Sequence, residues 1–180
     1  MDFNWNMTLC IAAACQDRGK PRVVIASDWK ATDSVGTADI QDKLYWITED
    51  IPVLIAGSIT RAIELKDTYK QYVEALAAQS SPVQIKQQDL NDHIKEPIKM
   101  FKRKLAEEYL SKRFGLNYDA FRTAVSKNEV PESIAIEAFA DIAKLDMECE
   151  LIIVVFTDRQ PYIFQIESDG RVENCEDFEQ

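Results

Sequence analysis

Four residues in the N-terminal third of the chain, Thr8, Asp28, Lys43 and Gly57, could together carry out covalent chemistry. A threonine at an amino terminus supplies both a nucleophile and a base, because its hydroxyl can attack while its free α-amine accepts the proton. A nearby lysine lowers the pKa of the nucleophile, and a carboxylate orients that lysine. A backbone N–H stabilises an oxyanion, and glycine at a strand end lets a substrate approach closely. This chemistry requires Thr8 to be the first residue.

Each of these four residues also has an ordinary structural interpretation. Threonine is common at the start of strands because its β-branched side chain suits the pleated backbone. Asp28 and Lys43 could be solvated loop charges, and Gly57 could simply form a turn. Taken one at a time, the residues favour the structural interpretation over the catalytic one.

The segments that carry these residues predict a mostly antiparallel β unit. Residues 8–15 and 22–27 are apolar runs on either side of a polar turn, which predicts a hairpin whose strands are buried on both faces. Residues 43–48 and 51–56 predict a second pair of strands. The polar segment 29–42 between the two pairs predicts a loop or a weak strand.

The middle of the chain has helical periodicity. Apolar residues recur every three or four positions over 59–76, so we predict an amphipathic helix that begins after Ser58 and ends at the Ser-Ser-Pro segment 80–82. A second helix is predicted over 89–114, with Asp89 as its N-cap and Gly115 as its stop. Pro97 should kink or divide it.

The rest of the chain returns to strands. Residues 117–145 predict two short helices around Pro131, and strands follow at 150–156, 162–166 and 171–174. Strands, then helices, then strands predict an α+β fold. The sequence has no internal repeat and no linker, so residues 1–180 form a single predicted domain.

The charge and the apolar content of the sequence disfavour several partners and locations. The net charge of -10 disfavours nucleic acid and anionic membranes, which are also negative. No stretch reaches the roughly 18 apolar residues of a membrane span, and the N-terminal residues do not resemble a signal peptide. The basic run near Lys102 is followed by acidic residues, and the sole histidine, His93, has polar neighbours, so both are predicted to be solvated.

The cysteines indicate a reduced compartment. Cys10, Cys15, Cys149 and Cys175 are scattered, and no two have the spacing of metal ligands. Three of them lie in or beside apolar runs, where a free thiol behaves as a small hydrophobic side chain. We therefore expect reduced thiols, a cytoplasmic location and no metal.

The order of these segments resembles proteasome β subunits and the bacterial protease HslV. Thr8-Leu-Cys-Ile-Ala resembles their mature start, and residues 24–32 resemble their hydrophobic-Ala-x-Asp-Ser-Arg-Ala-Thr segment, with Trp29 and Lys30 in place of Ser-Arg. Lys43 falls where the family has its catalytic lysine, and the Ala-Gly pair at 56–57 resembles the family's turn into its first helix. Residues 158–170 resemble its late hairpin.

The resemblance implies a four-layer αββα sandwich of antiparallel sheets between helix layers, the fold of N-terminal-nucleophile (Ntn) hydrolases. It also implies that residues 1–7 are a propeptide or an upstream extension, and that further elements of the fold follow Gln180. The roles it implies are Thr8 as nucleophile and base, Lys43 as the residue that lowers its pKa, Asp28 as the partner of Lys43, Gly57 as oxyanion donor, Thr32 as a backbone contact for an extended peptide, and Tyr45 and Ile55 as lining of the pocket for the residue before the scissile bond.

The activity so implied is threonine-type hydrolysis of peptide or amide bonds, without a metal or other cofactor. The partners implied are a peptide or protein substrate, further copies of the chain in a ring-type homo-oligomer, and an ATPase whose identity the sequence leaves open. One alternative is a catalytically inactive structural or assembly subunit with the same fold. Another is an acidic monomer that binds a partner through its helices.

Overall fold

The computed structural model describes residues 9–28, 31–32, 37–38, 42–79, 87–157 and 160–175. These residues form an α+β fold, which confirms the predicted fold class. The elements are β1 (Cys10–Asp17), β2 (Lys20–Ser27), β3 (Ala31–Thr32), β4 (Thr37–Ala38), β5 (Leu44–Thr48), β6 (Ile51–Gly57), α1 (Ile59–Gln79), α2 (Gln87–Phe114), α3 (Tyr118–Ser126), α4 (Glu132–Ala143), β7 (Cys149–Thr157), β8 (Gln160–Ile166) and β9 (Val172–Asn174).

The central element is a five-stranded antiparallel sheet with the strand order β5-β6-β7-β8-β9. The chain leaves this sheet after β6, forms all four described helices, and returns with β7 directly beside β6. In that pairing Gly57 lies opposite Cys149 and Ile55 lies opposite Leu151. The end of β6 is therefore built by two segments that are far apart in the sequence.

One face of this sheet packs against α1 and α2 to form the main core. Strand residues alternate between the two faces, so the side chains on the helix side are those at every second position. The core residues from the strands are Ile47, Val53, Ile55, Cys149, Leu151, Ile153, Val155, Tyr162, Phe164 and Ile166. Those from the helices are Ala62, Leu65, Tyr69, Leu90, Ile94, Ile98, Phe101 and Leu105, which confirms the predicted amphipathic stripes.

The hairpin of β1 and β2 is a separate sheet that contacts β8 and lies over the other face of the central sheet. Cys10 lines a cavity together with Leu54 and Ile152, whose side chains point away from the helices. The predicted burial of the hairpin on both faces is wrong. Its outer side chains are exposed, at 45% for Ile11 and 58% for Val24. An apolar run predicts a strand, but it does not determine how many faces are covered.

The second helix differs from its prediction at its start. It begins at Gln87, so Asp89 lies in its first turn and is not its N-cap. Of the two effects predicted for Pro97, a kink or a division, division does not occur, because α2 continues through Pro97. Proline removes only one backbone donor, and buried Ile94, Ile98 and Phe101 anchor both sides of it in the core.

A smaller core lies where the end of α2 meets α3 and α4, around buried Leu110, Phe121 and Ala138. The helix α2 ends before Gly115, whose φ of +68° suits a glycine, as predicted. The N-cap of α3 is Asn117, whose Oδ1 accepts a hydrogen bond of 2.8 Å from Ala120 N. Two short helices on either side of Pro131 are confirmed.

His93 is more enclosed than its polar neighbours in the sequence suggested. It is half-buried between α1 and α2, and its Nδ1 lies 2.8 Å from the hydroxyl oxygen of Tyr72. The histidine that was predicted to be solvated is therefore partly covered by α1. The segment 80–82, predicted to end the first helix, lies outside the described residues, as do residues 158–159 of the segment that resembles the late hairpin. None of the described helices combines the length and apolar character needed to cross a membrane.

Candidate active site

The centre of the site is an ion pair between Lys43 and Asp28, with Nζ 2.5 Å from Oδ1. Each partner extends a strand pairing. Ile55 N donates a hydrogen bond of 2.9 Å to Lys43 O, which continues the pairing of β5 with β6, and Asp28 N donates one of 2.9 Å to Leu9 O, which continues the hairpin. The pair therefore joins the end of the hairpin to the edge of the central sheet.

The lysine of this pair is deeply buried. Only 4% of the Lys43 side chain is exposed, against 28% for Asp28. Among the residues that the structure describes, Lys43 is the one charged residue that is buried. An ammonium group loses strong hydration on burial, so it needs a partner of opposite charge and good geometry. The carboxylate of Asp28 meets that need. The structure thus fixes a cation at the junction of the two sheets.

Thr8, the predicted nucleophile, lies outside the described residues. Its covalent neighbour Leu9 is described, and Leu9 O is the acceptor for Asp28 N. The residue after Thr8 is therefore paired, through its backbone, with the residue that supplies the carboxylate of the ion pair.

Gly57 occupies a position that only glycine fits well. It is the last residue of β6, with a φ of +79°, a region that other residues rarely adopt. A Cβ added there would lie 2.6 Å from Glu148 O. That same carbonyl accepts a hydrogen bond of 2.7 Å from Ser58 N, just before α1 begins. The switch from β6 to α1 is thus packed directly against the backbone that leads into β7.

The three predicted substrate-contact residues have different environments. Tyr45 is half-buried on β5, and Lys66 Nζ lies 5.6 Å from the centroid of its ring. Ile55 is 1% exposed, and its carbonyl oxygen is 3.5 Å from Cys10 Sγ. Thr32 pairs with Thr37 in the short β3–β4 sheet, and its side chain lies outside the described part of the structure. The described contacts join Lys43 to Asp28 and to Ile55. Tyr45 lies two residues after Lys43 on β5, and no described contact connects Thr32 to this group.

Cys10 is a member of this neighbourhood that the sequence indicated only as a small hydrophobic residue. Burial raises the pKa of the Cys10 thiol, while the nearby positive charge of Lys43 lowers it and Asp28 raises it. Cys10 also lines a cavity of about 160 Å³ between the hairpin and the central sheet. The other residues around this cavity are Leu54, Ile55, Ala56, Glu150, Leu151, Ile152 and Gln165. The cavity residues that β7 and β8 contribute could not be predicted, because no local sequence pattern indicates which strand lies beside β6 in the sheet.

The four cysteines, all free thiols, should differ widely in reactivity. We expect iodoacetamide to alkylate exposed Cys15 well before Cys149 at neutral pH. Cys149 is 1% exposed, and burial raises its pKa to about 12, so very little reactive thiolate forms. Tandem mass spectrometry of the peptides at successive times measures both rates. Unfolding in guanidinium should remove the difference, and equal rates in the folded protein would contradict the described burial of Cys149.

Comparison with known proteins does not assign the chain: no protein-family model matches it, and no curated protein matches it. The resemblance to proteasome β subunits and HslV therefore stays a prediction from the motifs. Among the described residues, no group of three or more His, Cys, Asp or Glu side chains could hold a metal ion.

Proposed function

We propose that the chain is a threonine-type Ntn hydrolase of the proteasome-like family, which cleaves peptide or amide bonds with Thr8 as its first residue. The observation that carries the proposal is the buried ion pair of Lys43 with Asp28. A buried cation at a sheet junction is costly to maintain for stability alone. It is useful where a neighbouring nucleophile must lose a proton.

The reaction begins when Thr8 Oγ attacks the substrate carbonyl carbon and its hydroxyl proton passes to the α-amine of the same residue. The positive charge of Lys43 favours the deprotonated nucleophile, and Asp28 orients Lys43. The Gly57 N–H stabilises the oxyanion of the tetrahedral intermediate. Its collapse breaks the C–N bond, the leaving amine takes the proton, and an ester to Thr8 remains. Water then hydrolyses that ester and restores the hydroxyl.

The proposed fold is the four-layer αββα sandwich. The described layers are the hairpin, the central sheet and the packed helices α1 and α2. A further helix layer would cover the outer face of the hairpin, where Leu9, Ile11 and Val24 are exposed by 59%, 45% and 58%. Three apolar side chains on one outer face support such a covering layer. The proposal also includes a cytoplasmic location, a ring-type homo-oligomer, and an ATPase partner of unknown identity.

The decisive experiment compares the 180-residue chain with protein in which a cleavable fusion leaves Thr8 as the first residue. We expect only the second form to hydrolyse fluorogenic peptides, because an amide nitrogen at Thr8 is not a base. Its activity should rise with pH through about 8, the range in which an α-amine loses its proton. Thr8→Ala in the same form is the control and should be inactive. Equal activity of the two forms, or activity of the control, would refute the proposal.

The second candidate function is an inactive structural or assembly subunit of the same fold. The exposed apolar face of the hairpin favours it, because such a face suits contact with another protein surface. This candidate predicts that native protein retains residues 1–7, forms a particle of several copies, and does not hydrolyse peptides. Intact mass and light scattering on the native protein distinguish the two functions.

A further inference from the structure

A cleft of about 440 Å³ separates α2 from β9, the last strand of the central sheet. At one end of this cleft the turn before β9 approaches α2 closely. A Cβ added to Gly170 would lie 3.2 Å from Ile98 Cγ2 and 3.3 Å from Lys102 Nζ. Lys102 Nζ also donates a hydrogen bond of 2.5 Å to Asp169 O. The cleft is therefore held between two elements that contact each other directly.

The lining of this cleft is basic, although the protein as a whole is acidic. Lys95, Lys99 and Lys102, here called the lysine row, follow the i, i+4, i+7 spacing of one helix face. Arg171 lines the same cleft from the other side, and Glu173 is the one acidic residue of the lining. The net charge of the chain is -10, so this cluster of four cations is a local exception. A concave surface lined by one sign of charge attracts ligands of the opposite sign.

Neighbouring carboxylates leave much of this positive charge available. Lys95 takes part in no ion pair within the described ranges. Lys99 pairs with Glu96 at 3.0 Å, but the two side chains are 69% and 45% exposed, so water competes with that pair. Arg171 Nε lies 2.6 Å from Asp169 Oδ2. A guanidinium has five N–H donors, so this contact leaves others for a ligand.

The position of the cleft at the edge of the sheet suits an extended peptide. The strand β9 ends the strand order, and none of the other described strands lies beyond it. A peptide that adds a strand there would direct every second side chain to the face that α2 covers, at intervals of about 7 Å. Lysines four residues apart on a helix are separated by about 6 Å along its axis. Buried Ile98 and half-buried Val172 add an apolar floor.

We propose that this cleft binds an extended acidic segment of a partner protein, which lies beside β9 and directs alternate carboxylates at the lysine row. A nucleic acid is a poorer ligand, because its charge extends beyond the cleft and meets the net charge of -10. The surface is independent of the proposed peptidase site. The strand that follows Lys43 is β5, at the opposite edge of the sheet, and four strand separations amount to roughly 19 Å.

The test uses a short labelled peptide with Glu at three alternate positions and a matched peptide with Gln at those positions. Fluorescence polarisation measures the binding of both to the 180-residue chain. We expect the Glu peptide to bind about tenfold more tightly, and the preference to shrink between about 50 and 300 mM NaCl as the charges are screened. Lys95→Glu with Lys99→Glu should abolish it. Both lysines are exposed, so the fold should be retained.

The matched control is Lys70→Glu together with Lys112→Glu, which reverses two exposed lysines outside the cleft and should leave the preference intact. Equal binding of the two peptides, or a preference that survives the change at Lys95 and Lys99, would overturn the proposal. Competition by a DNA oligonucleotide as strong as that by the Glu peptide would also overturn it, in favour of nucleic acid.

Two further measurements examine occupants from the chain itself. Binding that appears only after removal of residues 176–180, three of which are acidic, would assign the cleft to the chain's own end. Self-association seen by light scattering and lost with Lys95→Glu and Lys99→Glu, without peptide binding, would assign it to a second copy. Either result would overturn the proposal of a partner protein. None of these readouts depends on hydrolysis, so failure here leaves the proposed function to its own experiment.

Discussion

Replacing Lys43 by methionine is expected to reduce peptide hydrolysis by protein that begins at Thr8 about a thousandfold, the scale set by loss of one electrostatic catalytic group. The substitution removes the buried positive charge that favours the deprotonated nucleophile, but it retains an unbranched side chain of similar length. Because the stem of Lys43 is buried, methionine should fill most of its space and avoid a large cavity. Asp28 is partly exposed, so water can solvate its carboxylate once the lysine is lost.

A double-mutant cycle tests whether Lys43 and Asp28 act as a unit. If Asp28 works only by orienting Lys43, then Asp28→Asn should add little to the loss already caused by Lys43→Met. Lys20→Met in the hairpin is the control, since Lys20 is exposed. Initial rates and thermal unfolding of each variant give the two readouts. A Lys43→Met protein that is folded and keeps more than a tenth of the activity would show that the ion pair is structural.

Replacing Gly57 by alanine is expected to destabilise the fold by about 3 kcal/mol or more, which is large for a single methyl group. Two effects add. Alanine is strained at a φ of +79°, and its Cβ would lie 2.6 Å from Glu148 O, a backbone atom that cannot rotate away. For a domain of this size, the melting temperature should fall by roughly 6 to 12 °C.

Gly19→Ala separates these two effects. Gly19 has a similar φ of +75°, but a Cβ there would have nothing within 4 Å. It should therefore show only the cost of the backbone conformation, about 1 kcal/mol. Differential scanning calorimetry on both variants measures the difference. If the two substitutions cost the same, the close approach of β6 to the turn before β7 is not as described.

The sequence alone determined the local elements of this protein. Apolar residues at three- and four-residue spacing predicted α1 and most of α2, and Gly115 predicted where α2 ends. The strands of the hairpin were also predicted, because an apolar run and the polar turn that follows it depend only on neighbouring residues. The predicted N-cap of α2 was wrong. The preference of one residue for a helix end contributes less to stability than the tertiary packing of the whole helix.

The tertiary structure decided everything that joins distant segments. The family resemblance predicted Asp28 as the partner of Lys43, but periodicity alone could not predict that contact. Nothing near Tyr45 indicates that Lys66 lies over its ring. The reason why Gly57 must be glycine is a carbonyl of Glu148, in another part of the chain. Periodicity is a property of consecutive residues, whereas these contacts depend on which strands pair and which faces pack. Strand pairing and the packing of faces are determined together by burial over the whole chain, so these contacts can be seen only in the folded protein.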